Sequence, residues 1–262
     1  LLVRIVVLVK PVPDATGQER LGPDGRLDRT AAQPVMNGND EYTLEAALQL
    51  AEAVGGEVTL VAMAPAAGVE ALRKGLAMGA ARAVVVTDDA LAGSCARSTL
   101  EVLAAALRDI PFDLVLAGAD SADGGGGVVG AGIATLLGLP LVTGAAALIA
   151  AEGGTLRVRR LAPDGEETVE VDLPALLVGT QLLGEPRYPT LKGIMGARSK
   201  EVAVRSVADL GLADGSVGGA ASTTVVVAQR PPAARSATRV LQEAPAVAAG
   251  EIVDLLAERR AI

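Results

Sequence analysis

LVRIVVLV, Leu2–Val9, is almost continuously apolar and rich in β-branched residues. It lacks the alternation of a strand with one wet face, so it reads as a strand buried on both sides of a parallel α/β sheet. Similar segments return at Glu57–Met63, Arg82–Thr87 and Phe112–Ala117. Helical patterns separate them. Glu41–Val54 sets Leu44, Leu48 and Ala51 on one face, and Gly68–Met78 closes at Gly79 as a left-handed cap. Cys95–Arg108 is an alanine–leucine helix, and Gly127–Leu137 stops at Gly138 and Pro140. The alternation predicts a doubly wound parallel sheet with helices on both sides.

Outward from that frame the pattern changes. Lys10–Asn39 is polar, with Pro11, Pro13, Pro23 and Pro34, and a connection this long is usually functional or capped by short strands. Asn37–Asp40 reads as a helix start. After Leu141, Val142–Ala150, Thr155–Leu161, Glu166–Asp172 and Ala175–Thr180 read as added short strands, with hairpin turns at Gly153–Gly154 and Asp164–Gly165. Gly215–Thr224 reads as a linker, Val225–Ala228 as one more strand, and Ala246–Arg260 as a closing helix. The expected division is an α/β nucleotide-binding domain over 1–205 and a C-terminal extension over 206–262 that packs on another body.

One stretch fits neither period: GEPRYPTLKGIMGARSK, Gly184–Lys200. Tyr188, Leu191, Ile194 and Met195 stand among prolines, glycines and charges. A core helix would not carry so much proline and glycine. A disordered linker would not spend so many large apolar residues. It reads as an ordered arm offering apolar anchors to something outside its own core.

Composition excludes several classes. The 262 residues contain no His, the commonest general base and metal ligand, and a single Cys, which fits a reducing compartment. Cys95 reads as a buried helix residue. The net charge is −8 with no basic tract, which argues against nucleic acid. No apolar run reaches membrane-spanning length and no signal-peptide layout is present, so the expectation is a soluble cytoplasmic protein.

Ligands of open parallel sheets bind outside the carboxyl ends of the strands. Here those ends are Val9–Asp14, Met63–Pro65, Thr87–Asp89 and Gly118–Gly127. The last, GADSADGGGG, lies between a strand and a helix. Its glycines can turn backbone N–H groups toward a phosphate, with the helix N-terminus adding positive charge. The alternative is a flexible solvent loop. It is not a P-loop, which needs Lys and Ser/Thr after its glycines. Asp120 and Asp123 could serve as an acid–base pair or bind a divalent ion, but no His or third ligand supports either reading.

Five ordered pieces carry a resemblance: VLVKPVPD (Val7–Asp14), VMNGNDEYTLEAAL (Val35–Leu48), ALRKGLAMGAARAVVV (Ala71–Val86), FDLVLAGADSADGGGG (Phe112–Gly127) and EPRYPTLKGIMGARSK (Glu185–Lys200). Together the sequence resembles the β subunits of electron-transfer flavoproteins over nearly its whole length. The resemblance implies a Rossmann-like, adenine-nucleotide-hydrolase-like fold and an electron carrier subunit rather than an enzyme. It implies an α subunit that holds most of a shared FAD, and a structural AMP in the β subunit. It further implies docking of dehydrogenases, such as the acyl-CoA dehydrogenases of fatty acid β-oxidation, and passage of electrons toward a quinone reductase. By position, AMP contacts would come from Leu8, Asn37, Gly38, Asn39, Asp40 and Met63. Further contacts would come from Gly118, Ala119, Asp120, Ser121, Ala122, Asp123, Gly124, Gly125, Gly126, Gly127, Val128 and Val129. Partner docking would fall to Glu185, Arg187, Tyr188, Leu191, Ile194 and Met195, with Leu191 in the place of the family's anchoring leucine. Some members carry polar residues where Gly126, Val128 and Val129 stand, and an aromatic where Ala15 stands. Two alternatives stay open: an electron-bifurcating β subunit with a second FAD in place of AMP, and a stand-alone adenine-nucleotide-binding stress-type module.

Overall fold

The computed structural model describes residues 3–14, 21–29, 32–230 and 238–262; Ala15 lies outside them. Two compact units form, Leu1–Val226 and Val227–Ile262. In the first, β1 (Val3–Leu8) is followed by a small antiparallel pair, β2 (Pro11–Pro13) and β3 (Pro34–Met36). Then come α1 (Gly38–Val54), β4 (Gly56–Met63), α2 (Val69–Met78), β5 (Arg82–Val86), α3 (Ala96–Arg108), β6 (Leu114–Gly118) and α4 (Val129–Leu137). The chain continues through β7 (Leu141–Glu152), β8 (Thr155–Ala162), β9 (Gly165–Asp172), β10 (Ala175–Gly179), α5 (Leu191–Ala197) and β11 (Val202–Arg205).

Nine strands make one sheet in the order β11-β5-β4-β1-β6-β10-β7-β8-β9. All pairings from β11 to β7 are parallel, and β8 and β9 add antiparallel. The alternation of β1 divides the core. Ile5 and Val7 pack with Leu44, Leu48, Leu72 and Leu76 of α1 and α2. Val6 and Leu8 face Val102, Leu103 and Ile133 of α3 and α4. Helices thus cover both faces, as the unbroken apolar run of β1 requires. The chain leaves β1 toward β4 and β5 on one side and returns to β6 on the other, so the strand order reverses at β1/β6. This is where such sheets open a crevice at their carboxyl edge.

The strand expected over Ala175–Thr180 is β10, which inserts between β6 and β7, parallel to both, with all five residues buried. An unbroken apolar strand is stable only where both faces are covered. Three other expectations are corrected. Cys95 is not a buried helix residue but the half-buried N-cap of α3. Its thiol is drawn down to about 5, chiefly by the Ser98 backbone N–H and then by Ser222. Gly215–Thr224 is not a free linker, because Val217 is buried and Gly219 N–H donates to Ala92 O at 2.8 Å. Small residues there allow backbone to approach backbone. Val225–Ala228 forms no strand, and Val225 and Val227 are exposed. The first unit also includes residues 206–226, with Val207 in its core.

The second unit is described by α6 (Pro245–Glu258), which has no buried residue and exposes Val247, Ile252, Val253, Leu255 and Leu256. No helix among the described residues is long and apolar enough to cross a membrane.

Candidate functional site: a glycine loop at the sheet edge and an apolar arm

The β1/β6 crevice is built around Asp40, in the first turn of α1. Its carboxylate accepts the Lys10 backbone N–H at 2.7 Å and Asn37 Nδ2 at 3.1 Å, with the Gly118 amide as a further donor. Burial pushes this carboxyl up to about 7, although each of those donors favours its ionised form. Gly118 has to be glycine, since a Cβ there would lie 2.4 Å from Asp40 Oδ1. Asn37, also buried, ties this centre to the glycine loop. Its Nδ2 donates to Asp120 O at 2.8 Å, and its Oδ1 accepts the Ala122 N–H at 3.0 Å. Asn39 Nδ2 donates to Asp120 Oδ1 at 2.6 Å.

The acidic residues of the loop are committed. Asp123 accepts Lys10 Nζ at 2.7 Å and pairs with Arg29; Lys10 Nζ also donates to Ser121 Oγ at 3.1 Å. Burial alone would raise the Asp123 pKa, but Lys10 and Arg29 together hold it at about 2. Among the described residues no group of three or more His, Cys, Asp or Glu could hold a metal ion.

Beyond Asp123 the chain opens outward. Gly125 and Gly127 take φ of 56° and 61°, and nothing lies within 4 Å of a Cβ built on Gly125 or Gly126. Gly126, Gly127 and Val128 are exposed residues whose N–H groups make no hydrogen bond among the described residues, and they lead into α4. Consecutive unbonded amides before a helix N-terminus suit a phosphate group. The residues present therefore fit a phosphate held by backbone.

The other expected site residues fall into two sets. Leu8 is buried and Met63 half-buried, at the ends of β1 and β4. Gly38 is exposed and Val129 begins α4. Ala119 and Gly124 belong to the glycine loop. This set comes together at one sheet edge, although Leu8, Asn37 and Asp40 stand behind its surface. Lys10 and Arg29 were missed by sequence reasoning. The cue for Lys10 was its place directly after β1, beside the strand that feeds the glycine loop.

The arm forms elsewhere, against α1 and α2. Its second half is not irregular, as its proline and glycine content suggested: Leu191–Ala197 is a short helix, α5. Thr190 Oγ1 caps it by accepting the Gly193 N–H at 3.0 Å. Tyr188 is 92% exposed, Leu191 75% and Met195 67%. Ile194 and Glu185 are also exposed, and Arg187 turns inward to Glu45 and Glu52 of α1.

Comparison with known proteins shows the family. The electron transfer flavoprotein domain family matches residues 24–210. The electron transfer flavoprotein subunit beta of Mycobacterium bovis is 40% identical over 243 residues, covering 90% of this chain and 91% of the relative. Its counterpart in Thermoanaerobacterium thermosaccharolyticum is 36% identical over 260 residues, 98% of this chain and 99% of the relative. The caffeyl-CoA reductase-Etf complex subunit CarD of Acetobacterium woodii is 36% identical over 263 residues, 99% and 100% of the two chains. With a family match over residues 24–210 and relatives covered nearly end to end, this chain belongs to the electron transfer flavoprotein family, as a homologue of its β subunits.

Proposed function

We propose that this chain is the β subunit of a heterodimeric electron carrier. It completes the FAD site of an α subunit, holds AMP at the β1/β6 crevice, and docks dehydrogenases such as acyl-CoA dehydrogenases through its arm. Electrons then pass toward a quinone reductase, and the setting is the cytoplasm. The flavin supplies the redox chemistry; this chain supplies placement and docking.

The observation that carries the docking role is the arm itself. Tyr188, Leu191 and Met195 are large, apolar and each at least two-thirds exposed, on a segment that ion pairs fasten to α1. Exposed apolar residues grouped on an ordered element mark an interaction site, and interface energy concentrates in a few such anchors. For the nucleotide, the amides of Gly126–Val128 would take the phosphate while Asn37, Asp40 and Lys10 hold the loop in shape. Its role would be structural, since a bound ligand stabilises the fold by mass action.

The names of two relatives favour a second reading. The caffeyl-CoA reductase-Etf complex subunit and the acryloyl-CoA reductase electron transfer subunit gamma of Anaerotignum propionicum, 35% identical, belong to reductase systems. In that reading a second FAD replaces AMP. Heating the purified protein and identifying the released nucleotide separates the two. The expected product is AMP, in proportion to this chain. FAD in its place supports the second reading, and release of neither contradicts a nucleotide site at the crevice.

A further inference from the structure

We propose that Arg187 is a positioning residue for partner docking: it locks the arm onto α1, so that Tyr188, Leu191 and Met195 are held in a fixed arrangement before a partner arrives. The proposal rests on the docking role argued above.

Arg187 spends four of its five guanidinium N–H groups on two carboxylates. Nε and Nη2 reach the two oxygens of Glu45 at 2.8 and 3.0 Å, and Nη1 and Nη2 reach those of Glu52 at 2.5 and 3.1 Å. The Arg187 backbone N–H adds a bond of 3.1 Å to Glu45 Oε2. Exposed ion pairs contribute little, but this one differs. The Glu45 side chain is only 4% exposed, so its charge requires a partner where Arg187 supplies one in two-pronged geometry.

The far end of the arm is fastened independently. Arg73 Nη1 donates to Ala197 O at 2.8 Å and Lys200 O at 2.9 Å. Lys200 Nζ donates to Leu76 O at 2.9 Å and Ala80 O at 2.6 Å, satisfying carbonyls around the carboxyl end of α2. The exposed apolar residues therefore lie on a span tied at both ends. A recognition element ordered in advance loses less conformational freedom on binding. Arg187 fastens the end nearest Tyr188 and Leu191, where Arg73 and Lys200 cannot substitute for it.

The test uses the α/β complex with three changes to this chain. They are Arg187→Lys, the double change Arg187→Gln with Glu45→Gln, which leaves no unpaired buried charge, and Leu191→Ala. Amide hydrogen exchange is followed over residues 186–196, and KM and kcat are measured with an acyl-CoA dehydrogenase as electron donor. The double variant should exchange the arm amides faster by about tenfold or more and raise KM by about tenfold, with kcat kept and exchange of the glycine loop unchanged. Arg187→Lys, which keeps the charge but not the fork, should fall between. Unchanged arm exchange would overturn the proposal, as would faster exchange with an unchanged KM while Leu191→Ala raises KM. If Leu191→Ala also leaves KM unchanged, the docking role itself fails and the proposal falls with it.

Discussion

Asp40 shows how one side chain can organise a site without reaching its surface. Its carboxyl titrates near 7, against an ordinary value of 3.8, because it is buried. The folded chain therefore keeps this proton across a range where the unfolded chain has released it. Stability contributed by Asp40 is full below about pH 4, falls as pH rises toward 7, and levels off above. Depressed carboxylates such as Asp123, at about 2, titrate below that window. Cys95, at about 5 against an ordinary 9.0, contributes in the opposite sense above pH 5, so the comparison is between variants: the urea midpoint measured from pH 4.5 to 7.5 should rise more with pH in Asp40→Asn than in the parent chain, and identical pH profiles would contradict the assignment. The sequence made this crevice legible as a set of strand ends, and the glycines as a candidate phosphate loop. It did not reveal that Asp123 is neutralised by Lys10 and Arg29, which lie 113 and 94 residues away along the chain. Contacts across the β1/β6 switch depend on strand order, which local pattern does not encode.

At the scale of elements, α1 serves both regions. Its first turn carries Asp40, and Glu45 and Glu52 farther along the same helix hold the arm. The separation from Asp40 to Glu52 is about 18 Å at the ordinary rise per residue. A rigid helix thus fixes the frame of each site. The arm shows where pattern reading failed and why. A helix of seven residues with two glycines has little propensity of its own. It persists because Thr190 caps it and because α5 lies on the end of α2. Gly193 marks that contact, since a Cβ there would stand 2.4 Å from Ala77 O. Gly193→Ala should therefore push α5 outward and cost about 1–3 kcal/mol in urea unfolding, as overpacking does. A loss below about 0.5 kcal/mol, in the range of neutral surface changes, would mean that α5 does not rest on α2 as described. β10 was expected as a strand, with no place in the sheet assigned to it. Its length and apolar character were clear, but its place between β6 and β7 is a long-range property of the sheet.

Across the whole molecule, the first unit buries its core and leaves both proposed sites outside it: the exposed glycine loop, and an arm of unburied apolar side chains. In the second unit, α6 presents Ile252, Val253 and Leu255 to solvent with no buried residue, a composition suited to packing on another chain. Such exposed apolar surface is consistent with the electron transfer flavoprotein family to which the chain belongs, whose β subunits it resembles. The most direct measurement is reconstitution with an FAD-binding α subunit of the same family, followed by size, flavin content and reduction by an acyl-CoA dehydrogenase. The account predicts a one-to-one complex with bound FAD whose reduction requires this chain. Elution of this chain apart from the α subunit, or flavin reduction at the same rate without it, would contradict the account.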